Sequence, residues 1–339
     1  MSAIIDSLPV LILYPHARCN CRCVMCDIWK RTDGEELAPE ELERHLADIE
    51  RLSVRWVVFS GGEPLMHAAF FRLCKLLKAK NIRITVLSTG LLLQRFAEQL
   101  VRYVDDVIVS LDGPLEVHDR IRRVPGAFWR LKEGVEEIHN VSERFPIAAR
   151  CTVQRLNCSA IVETASAARA LGFQSISFLA ADLTSQAFNR LEPWDNARQE
   201  QIALSLDDIQ TLSKQFDELA ALWSASEFVL ESREKLERIV QHFRAHLGLC
   251  EPQAPRCNAP WVSAVVETDG TVRPCFFQRP IGSVNGQSLF NVLNGFEAQQ
   301  FRRSLDVATN PICKRCVCSL HLTSEYRPQR PTAVLASVR

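Results

Sequence analysis

The chain has 339 residues, 47% of them apolar, with 40 lysines and arginines against 40 aspartates and glutamates. That size suits one large α/β domain with a smaller appendage, and the balanced charge lacks the signature of a nucleic-acid binder or an acidic solvating arm. The N-terminus has no basic signal region and its apolar stretch Leu8–Tyr14 is too short to span a bilayer, so a soluble cytoplasmic protein without membrane or nucleic-acid partners is expected.

Short apolar runs, most of them rich in Val and Ile, alternate with amphipathic stretches through the first half. Strands are expected at Val10–Tyr14, Trp56–Phe59, Ile82–Leu87, Asp106–Leu111, Ala148–Val153 and Ser175–Leu179. Helices are expected at Pro39–Leu52, Ala68–Lys80, Leu91–Val104, Phe128–Ser142 and Ser159–Leu171. Leu42, His45, Leu46, Ile49 and Leu52 repeat as one helix face requires, and Gly172 stands where a C-cap would. Six βα units in series predict an α/β fold, a partial (β/α)6 TIM-type barrel over residues 1–182, open on one side. Ligands in such folds sit at the C-terminal ends of the strands.

Residues 183–250 break the rhythm. Thr184–Asp195 is polar, and helices are expected at Leu206–Trp223 and Ser232–His246, in a helical insertion of no assigned role. Pro252–Pro255 reads as a linker. A hairpin follows, Trp261–Glu267 and Thr271–Phe276 around Thr268-Asp269-Gly270, inside a small cysteine-rich domain at 251–322. Residues 323–339 read as a disordered tail, and no repeat of 20 to 50 residues is visible.

Thirteen cysteines without a secretory signal point to metal or redox chemistry rather than to disulfides. Cys74 and Cys151 lie in apolar runs and read as core residues; Cys158 and Cys250 stay unassigned. Directly after the first strand comes Cys19-Asn-Cys-Arg-Cys23-Val-Met-Cys26, in which Cys19, Cys23 and Cys26 form C-x3-C-x2-C. Three thiolates on one loop can hold three irons of a [4Fe–4S] cube and leave the fourth iron open to a substrate. A zinc knuckle completed by Cys21 or His16 is the alternative at this point.

Strand two ends in Ser60-Gly61-Gly62-Glu63-Pro64, where two glycines let backbone approach a ligand and a carboxylate can accept from an ammonium. Ser88-Thr89-Gly90 after strand three is another cofactor-facing candidate. Strand four ends in Ser110-Leu-Asp-Gly-Pro114, followed by His118-Asp119-Arg120-Ile-Arg122. Ser110 and Asp112 leave a strand in the same direction, and their hydroxyl and carboxylate suit ribose hydroxyls. Asp119 and Arg120 read as a salt-bridged loop and His118 as structural. Farther on, Cys257 and Cys275 bracket the hairpin strands, Cys313-Lys-Arg-Cys316 adds a pair, and Cys318 follows. Pairs on two loops can cage zinc or an iron–sulfur cluster, and spacing does not decide between them.

The cysteine loop after strand one resembles the cluster motif of the radical S-adenosylmethionine (radical SAM) superfamily. The resemblance extends to GGEP at Gly61–Pro64 and to the SLDGP…HDxxR segment of members with SPASM or twitch extensions. It covers about residues 8 to 320 and is specific only at the motifs; Met25 stands where an aromatic is usual. It implies that Cys19, Cys23 and Cys26 bind a [4Fe–4S] cluster whose fourth iron chelates S-adenosylmethionine, and that Cys21 is a bystander. Contacts to S-adenosylmethionine are implied for Met25, Gly61, Gly62, Glu63, Ser88, Ser110, Asp112, Arg122 (or Arg123, which keeps the usual register) and Leu179. The C-terminal module is similar to a twitch domain, which implies one auxiliary [4Fe–4S] cluster on Cys257, Cys275, Cys313 and Cys316, with Cys318 competing for the last place.

By the same likeness the chain would be a radical SAM oxidoreductase. It would cleave S-adenosylmethionine reductively to a 5′-deoxyadenosyl radical, with a flavodoxin- or ferredoxin-type electron donor. The expected substrate is a small polar metabolite of sugar, cyclitol or nucleoside type in natural-product biosynthesis, undergoing a two-electron oxidation assisted by the auxiliary cluster. Asp182, Glu192 and Glu267 are unranked candidates for a base, so the catalytic residue is unknown at this stage. A maturase acting on a peptide or protein is the second reading, disfavoured in its in-cis form because about ten residues precede the first strand. The third reading is a zinc-stabilised, non-catalytic binding protein.

Overall fold

A computed structural model describes residues 2–31, 34–190, 192–223 and 226–323; the tail expected from Ser324 lies outside them. Six parallel strands form the frame: β1 (Val10–Leu13), β2 (Trp56–Phe59), β3 (Arg83–Ser88), β4 (Asp106–Ser110), β5 (Ile147–Val153) and β6 (Ser175–Ala180). β1, β2 and most of the other positions are buried on both faces, which is why they read as continuous apolar runs. The outer helices are α1 (Pro39–Arg51), α2 (Phe70–Lys78), α3 (Leu93–Tyr103), α4 (Leu115–Arg122), α5 (Ala127–Val141) and α6 (Ile161–Ala170). Leu42 and Ile49 of α1 are buried, as the helix-face spacing predicts, and Gly172 takes φ 85° just past α6, a left-handed turn that costs a glycine little.

Two elements differ from the expectations. The stretch read as a salt-bridged loop is α4. Its buried face is His118, Ile121 and Arg122, too polar for an apolar period to register. Asp119 accepts from the amides of Gly126 (2.6 Å) and Phe128 (2.9 Å) at the start of α5, so it caps a helix. A short helix, α7 (Asn196–Ile202), is also present, its first turn capped by Asp195.

The insertion continues with α8 (Leu206–Trp223) and α9 (Arg233–His246). Between them, Phe228–Leu230 lies along β6: Ile176 donates to the Phe228 carbonyl (2.8 Å), and Leu230 donates to that of Ile176 (3.0 Å). At the other edge, after a helical turn α10 (Ala259–Val262), β7 (Ser263–Val266) pairs parallel with β1, matching Val10 with Ser263 and Leu13 with Val266. β8 (Thr271–Arg273) and β9 (Gly282–Ser283) extend that edge antiparallel. The order is therefore β6-β5-β4-β3-β2-β1-β7-β8-β9, one sheet of nine strands. The expected hairpin is present as β7–β8 and is continuous with the barrel sheet, so the edge strands of the half-barrel are paired rather than open. The short helices α11 (Leu289–Asn294), α12 (Phe296–Ser304) and α13 (Pro311–Lys314) complete the C-terminal part. Among the described residues, no helix is long and apolar enough to cross a membrane.

Candidate functional site

Because β1–β6 run parallel, the residues that follow them gather at one mouth. The cysteine loop leaves β1 and is fastened to the end of α4: Arg22 donates to the Arg122 carbonyl (3.2 Å) and Val24 to that of Ile121 (3.0 Å). Cys19 and Cys26 are partly exposed, while Cys21 and Cys23 are buried. The thiols of Cys19, Cys23 and Cys26 lie within electrostatic reach of one another. Burial pushes the Cys19 thiol well up and that of Cys26 up to about 12. The Cys23 thiol is held low, by a hydrogen bond from Cys21 and then by the Arg122 guanidinium, against its burial. Arg122 Nη1 is 3.4 Å from Cys23 Sγ, and Nη2 is 2.5 Å from Asp112 Oδ2. Arg123, the alternative position, takes the left-handed turn that ends α4.

The strand-end groups named from the sequence are brought together, but largely onto one another. Glu63 is fully buried and accepts from the Leu65 amide (3.1 Å), the Ser88 hydroxyl (3.1 Å), the Thr89 amide (2.6 Å) and the Thr89 hydroxyl (2.7 Å). Its burial raises the carboxyl pKa against those donors. A Cβ on Gly62 would lie 1.9 Å from the carbonyl oxygen of Arg18, and one on Gly61 (φ +98°) would lie 2.9 Å from that of His16. The close approach permitted by these glycines is thus to the cysteine loop itself. Asp112 is fully buried, pairs with Arg122 and accepts from the Thr152 amide (2.8 Å). His118 is buried too; its Nδ1 accepts from the Asp112 amide (3.2 Å), and burial drops its pKa to about 3, so it is neutral. Ser110 stays half-buried at the end of β4. Leu179, on β6, lines a small cavity with Arg150, Glu231 and Cys318.

The candidate bases are otherwise engaged. Asp182 pairs with Arg190 at 2.6 Å, both side chains almost fully enclosed, and Glu267 pairs with Arg273 at 2.5 Å. Glu192 is exposed. Arg190 also reaches the Met25 carbonyl (3.5 Å) and lies 3.6 Å from the Trp194 ring, whose Nε1 donates to Asp27 (2.6 Å). This brace under the cysteine loop comes from the insertion and carries no sequence motif.

The second thiol group sits where α10, β8 and α13 meet. The Ala259 amide approaches Cys257 Sγ (3.5 Å) and Gln278 Nε2 approaches Cys313 Sγ (3.5 Å), while Cys275 receives the amides of Phe277 and Gln278. Cys316 points at the Cys318 carbonyl (2.5 Å). The Cys318 thiol faces Arg150, Cys257, Arg238 and Lys235. Among the described residues, no three His, Cys, Asp or Glu side chains converge tightly enough for a single metal ion. Thiols with N–H donors aimed at sulfur fit iron–sulfur clusters, whose thiolates such donors stabilise.

Residues 13–154 match the model of the Radical SAM superfamily, and residues 257–317 that of the SPASM iron–sulfur cluster-binding domain. Curated relatives include the AdoMet-dependent heme synthase of Methanosarcina barkeri, 29% identical over 161 residues that cover 46% of each chain. The probable GTP 3′,8-cyclase of Thermococcus kodakarensis is 32% identical over 145 residues, 40% of this chain and 45% of that one. The matches thus span less than half the length of these relatives. The fold superposes on Streptococcus suis SuiB bound to its precursor peptide SuiA with a TM-score of 0.67 at 16% identity, covering 93% of this chain and 72% of SuiB. The cofactors that go with these domains are a [4Fe–4S] cluster with S-adenosylmethionine in the first and auxiliary iron–sulfur in the second. The chain carries a radical SAM domain over residues 13–154, followed by a SPASM iron–sulfur cluster-binding domain over residues 257–317.

Proposed function

We propose that this chain is a radical SAM oxidoreductase acting on a small polar metabolite at the barrel mouth. The observation that carries the reading is the placement of two thiol groups on one continuous sheet, with a cavity beside the second. In this reading residues 1–182 perform the radical chemistry and 251–322 hold a single auxiliary cluster. When bound, the cofactors supply reductive cleavage of the C5′–S bond, and the 5′-deoxyadenosyl radical takes a hydrogen atom from the substrate.

The chain's own residues hold, orient and shield. Cys19, Cys23 and Cys26 are the iron ligands at the first site, and Arg122 offsets the negative charge gathered at Cys23. Glu63 fixes the loop after β3 through Ser88 and Thr89, and Ser110 is the hydroxyl left facing the mouth. Cys257, Cys275 and Cys313, which have N–H donors at sulfur, are ligands of the second site, and Cys316, within reach of Cys275 and Cys257, is the fourth. A cavity of about 390 Å³ lies between α9 and the Lys314–Val317 loop, with Thr184, Gln241, His242 and Arg315 in its wall. That volume is in the range of small-molecule sites, which supports a metabolite over a folded protein substrate. A flavodoxin- or ferredoxin-type donor in the cytoplasm completes the scheme.

The test is anaerobic reconstitution followed by dithionite-driven release of 5′-deoxyadenosine. Wild type is expected to hold about eight irons and the Cys19/Cys23/Cys26→Ala variant about four, with release by the wild type alone. Zinc in place of iron, or equal release by both proteins, would overturn the proposal.

A further inference from the structure

The insertion makes a second contribution to the mouth. Pairing of Phe228–Leu230 along β6 fixes the residues that follow, so Glu231 lies at the sheet edge with its Oε2 accepting from the Phe178 amide at 2.9 Å. Lys235, Arg238 and His242 follow on α9 at spacings of three and four, the repeat of a single helix face. Opposite them, Arg150 of β5 lies on the barrel wall, its Nε donating to the Ser177 hydroxyl at 3.1 Å. Arg150, Glu231, Lys235, Arg238 and Cys318 line one small cavity. Arg238 also borders the larger cavity next to Cys316, so the two spaces adjoin.

The charges there do not balance. Arg150 and Arg238 have one carboxylate near them, Glu231, and it already accepts a backbone amide. Arg122 and Arg190, which are more deeply buried, each have an aspartate within 2.6 Å. Arg150 and Arg238 form no ion pair with any described residue. Arg150 is half-buried, with the Ser177 hydroxyl as its hydrogen-bond partner and Glu231 as a nearby counter-charge, so its guanidinium keeps N–H groups that can meet a ligand. Burial, moreover, works against the charge on both Arg150 and Lys235, and an oxyanion between them would offset that cost.

We infer that Arg150, Lys235 and Arg238 form a binding site for an oxyanion group of the substrate, a carboxylate or a phosphate, on the wall between the barrel and the second thiol group. Glu231 is the positioning residue of this site: anchored to β6, it keeps Lys235 and Arg150 apart and oriented. The inference rests on the reading of the mouth as the place where substrate binds, and it narrows the metabolite to an anionic one.

The experiment is isothermal titration calorimetry on anaerobically reconstituted protein, with citrate as the carboxylate probe and inorganic pyrophosphate as the phosphate probe. Arg150→Gln and Arg238→Gln are run alongside, and the iron content of every preparation is measured. One probe is expected to bind saturably to wild type and at least tenfold more weakly to either variant with iron unchanged; which probe binds tells carboxylate from phosphate. Arg238 lies on the surface of α9, so its variant keeps the test alive should Arg150→Gln fail to fold. The inference is overturned if neither probe binds, if the variants bind as wild type does, or if either variant loses auxiliary iron, which would assign these charges to the cluster. Wild-type release of 5′-deoxyadenosine in the same preparation separates the two claims. Release without anion binding removes the oxyanion site alone, and binding without release removes the radical chemistry alone.

Discussion

Gly62→Ala is the smallest change that reaches the cysteine loop. The new Cβ would stand 1.9 Å from the Arg18 carbonyl oxygen and 2.6 Å from both the Arg18 carbonyl carbon and the Ala17 carbonyl oxygen. Ordinary contact begins near 3.4 Å, so one backbone segment must move by about 1.5 Å. All three obstacles are main chain, so no side-chain rotation relieves the overlap. The Glu63 amide donates to the same Arg18 carbonyl at 2.8 Å, so the shift also breaks the bond that ties the β2 turn to the loop. Overpacking of this kind costs about 3 kcal/mol when a core can relax, and here the relaxing part is the loop bearing Cys19.

Iron and sulfide analysis after anaerobic reconstitution reads this directly. Gly62→Ala is expected to lose about four irons per chain, those of the first site, while the second site fills normally. Gly248→Ala is the control: it also sits at positive φ (+73°) but meets nothing within 4 Å, so it should cost about 1 kcal/mol and leave the iron count unchanged. A Gly62→Ala protein with wild-type iron would refute the reasoning, because the loop would then have room that the geometry denies it.

Arg122→Gln leaves Asp112 fully buried without its cation, and should lower stability toward denaturant by about 3–5 kcal/mol; a loss under 1 kcal/mol would mean that water reaches Asp112. By contrast Arg233→Ala, whose partner Asp217 is exposed like itself, should cost less than about 1 kcal/mol in the same assay. Asp106, buried at the N-terminal end of β4, has its carboxyl raised by burial to about 6 despite Arg83 and Thr85. The folded state therefore holds that proton more tightly than the unfolded one, and its contribution to stability is present below about pH 4 and lost as pH rises through 6. Asp106→Asn should flatten that part of the stability–pH curve; an unaltered slope would show that Asp106 titrates normally. Cys316→Ala should remove the auxiliary iron and Cys318→Ala should retain it, and the reverse pattern would exchange their roles.

The parallel frame was legible because each of its strands is buried on both faces, so the runs at Val10, Trp56, Ile82, Asp106, Ala148 and Ser175 announce themselves without partners. The cysteine positions and the strand-end groups were legible for a related reason: a motif that must sit on one loop is local in sequence. What escaped is non-local. Nothing in Ser263–Val266 says that it will pair parallel with Val10–Leu13 across 250 residues of chain, and Phe228–Leu230 is too short a run to show itself as an edge partner of β6. Helix α4 was hidden by its own chemistry, since the face it buries holds His118 and Arg122. Glu231 and Arg150 were missed because one lies in a stretch without motifs and the other looks like an outward strand residue until β6 and α9 enclose it.

The polar residues at the strand ends are first of all ligands of one another, and this explains how a loop carrying three buried or half-buried thiols keeps its shape. Glu63 takes donors from the last residue of β3 and the one after it, and one from its own turn. Asp112 takes the guanidinium that also meets Cys23, and the main chain of α4 holds Arg22 and Val24. Each link crosses from one strand end to another, so the cysteine loop is referenced to β2, β3 and β4 at once. A site that must bring a cofactor and a substrate into register gains from this, because a displacement of 1 Å at the loop is costly in rate and the crossing links resist it from three directions. The groups left partly exposed there are correspondingly few: Ser110, Cys19 and Cys26 and, on β5, Arg150. A ligand entering there meets a frame already ordered by these links.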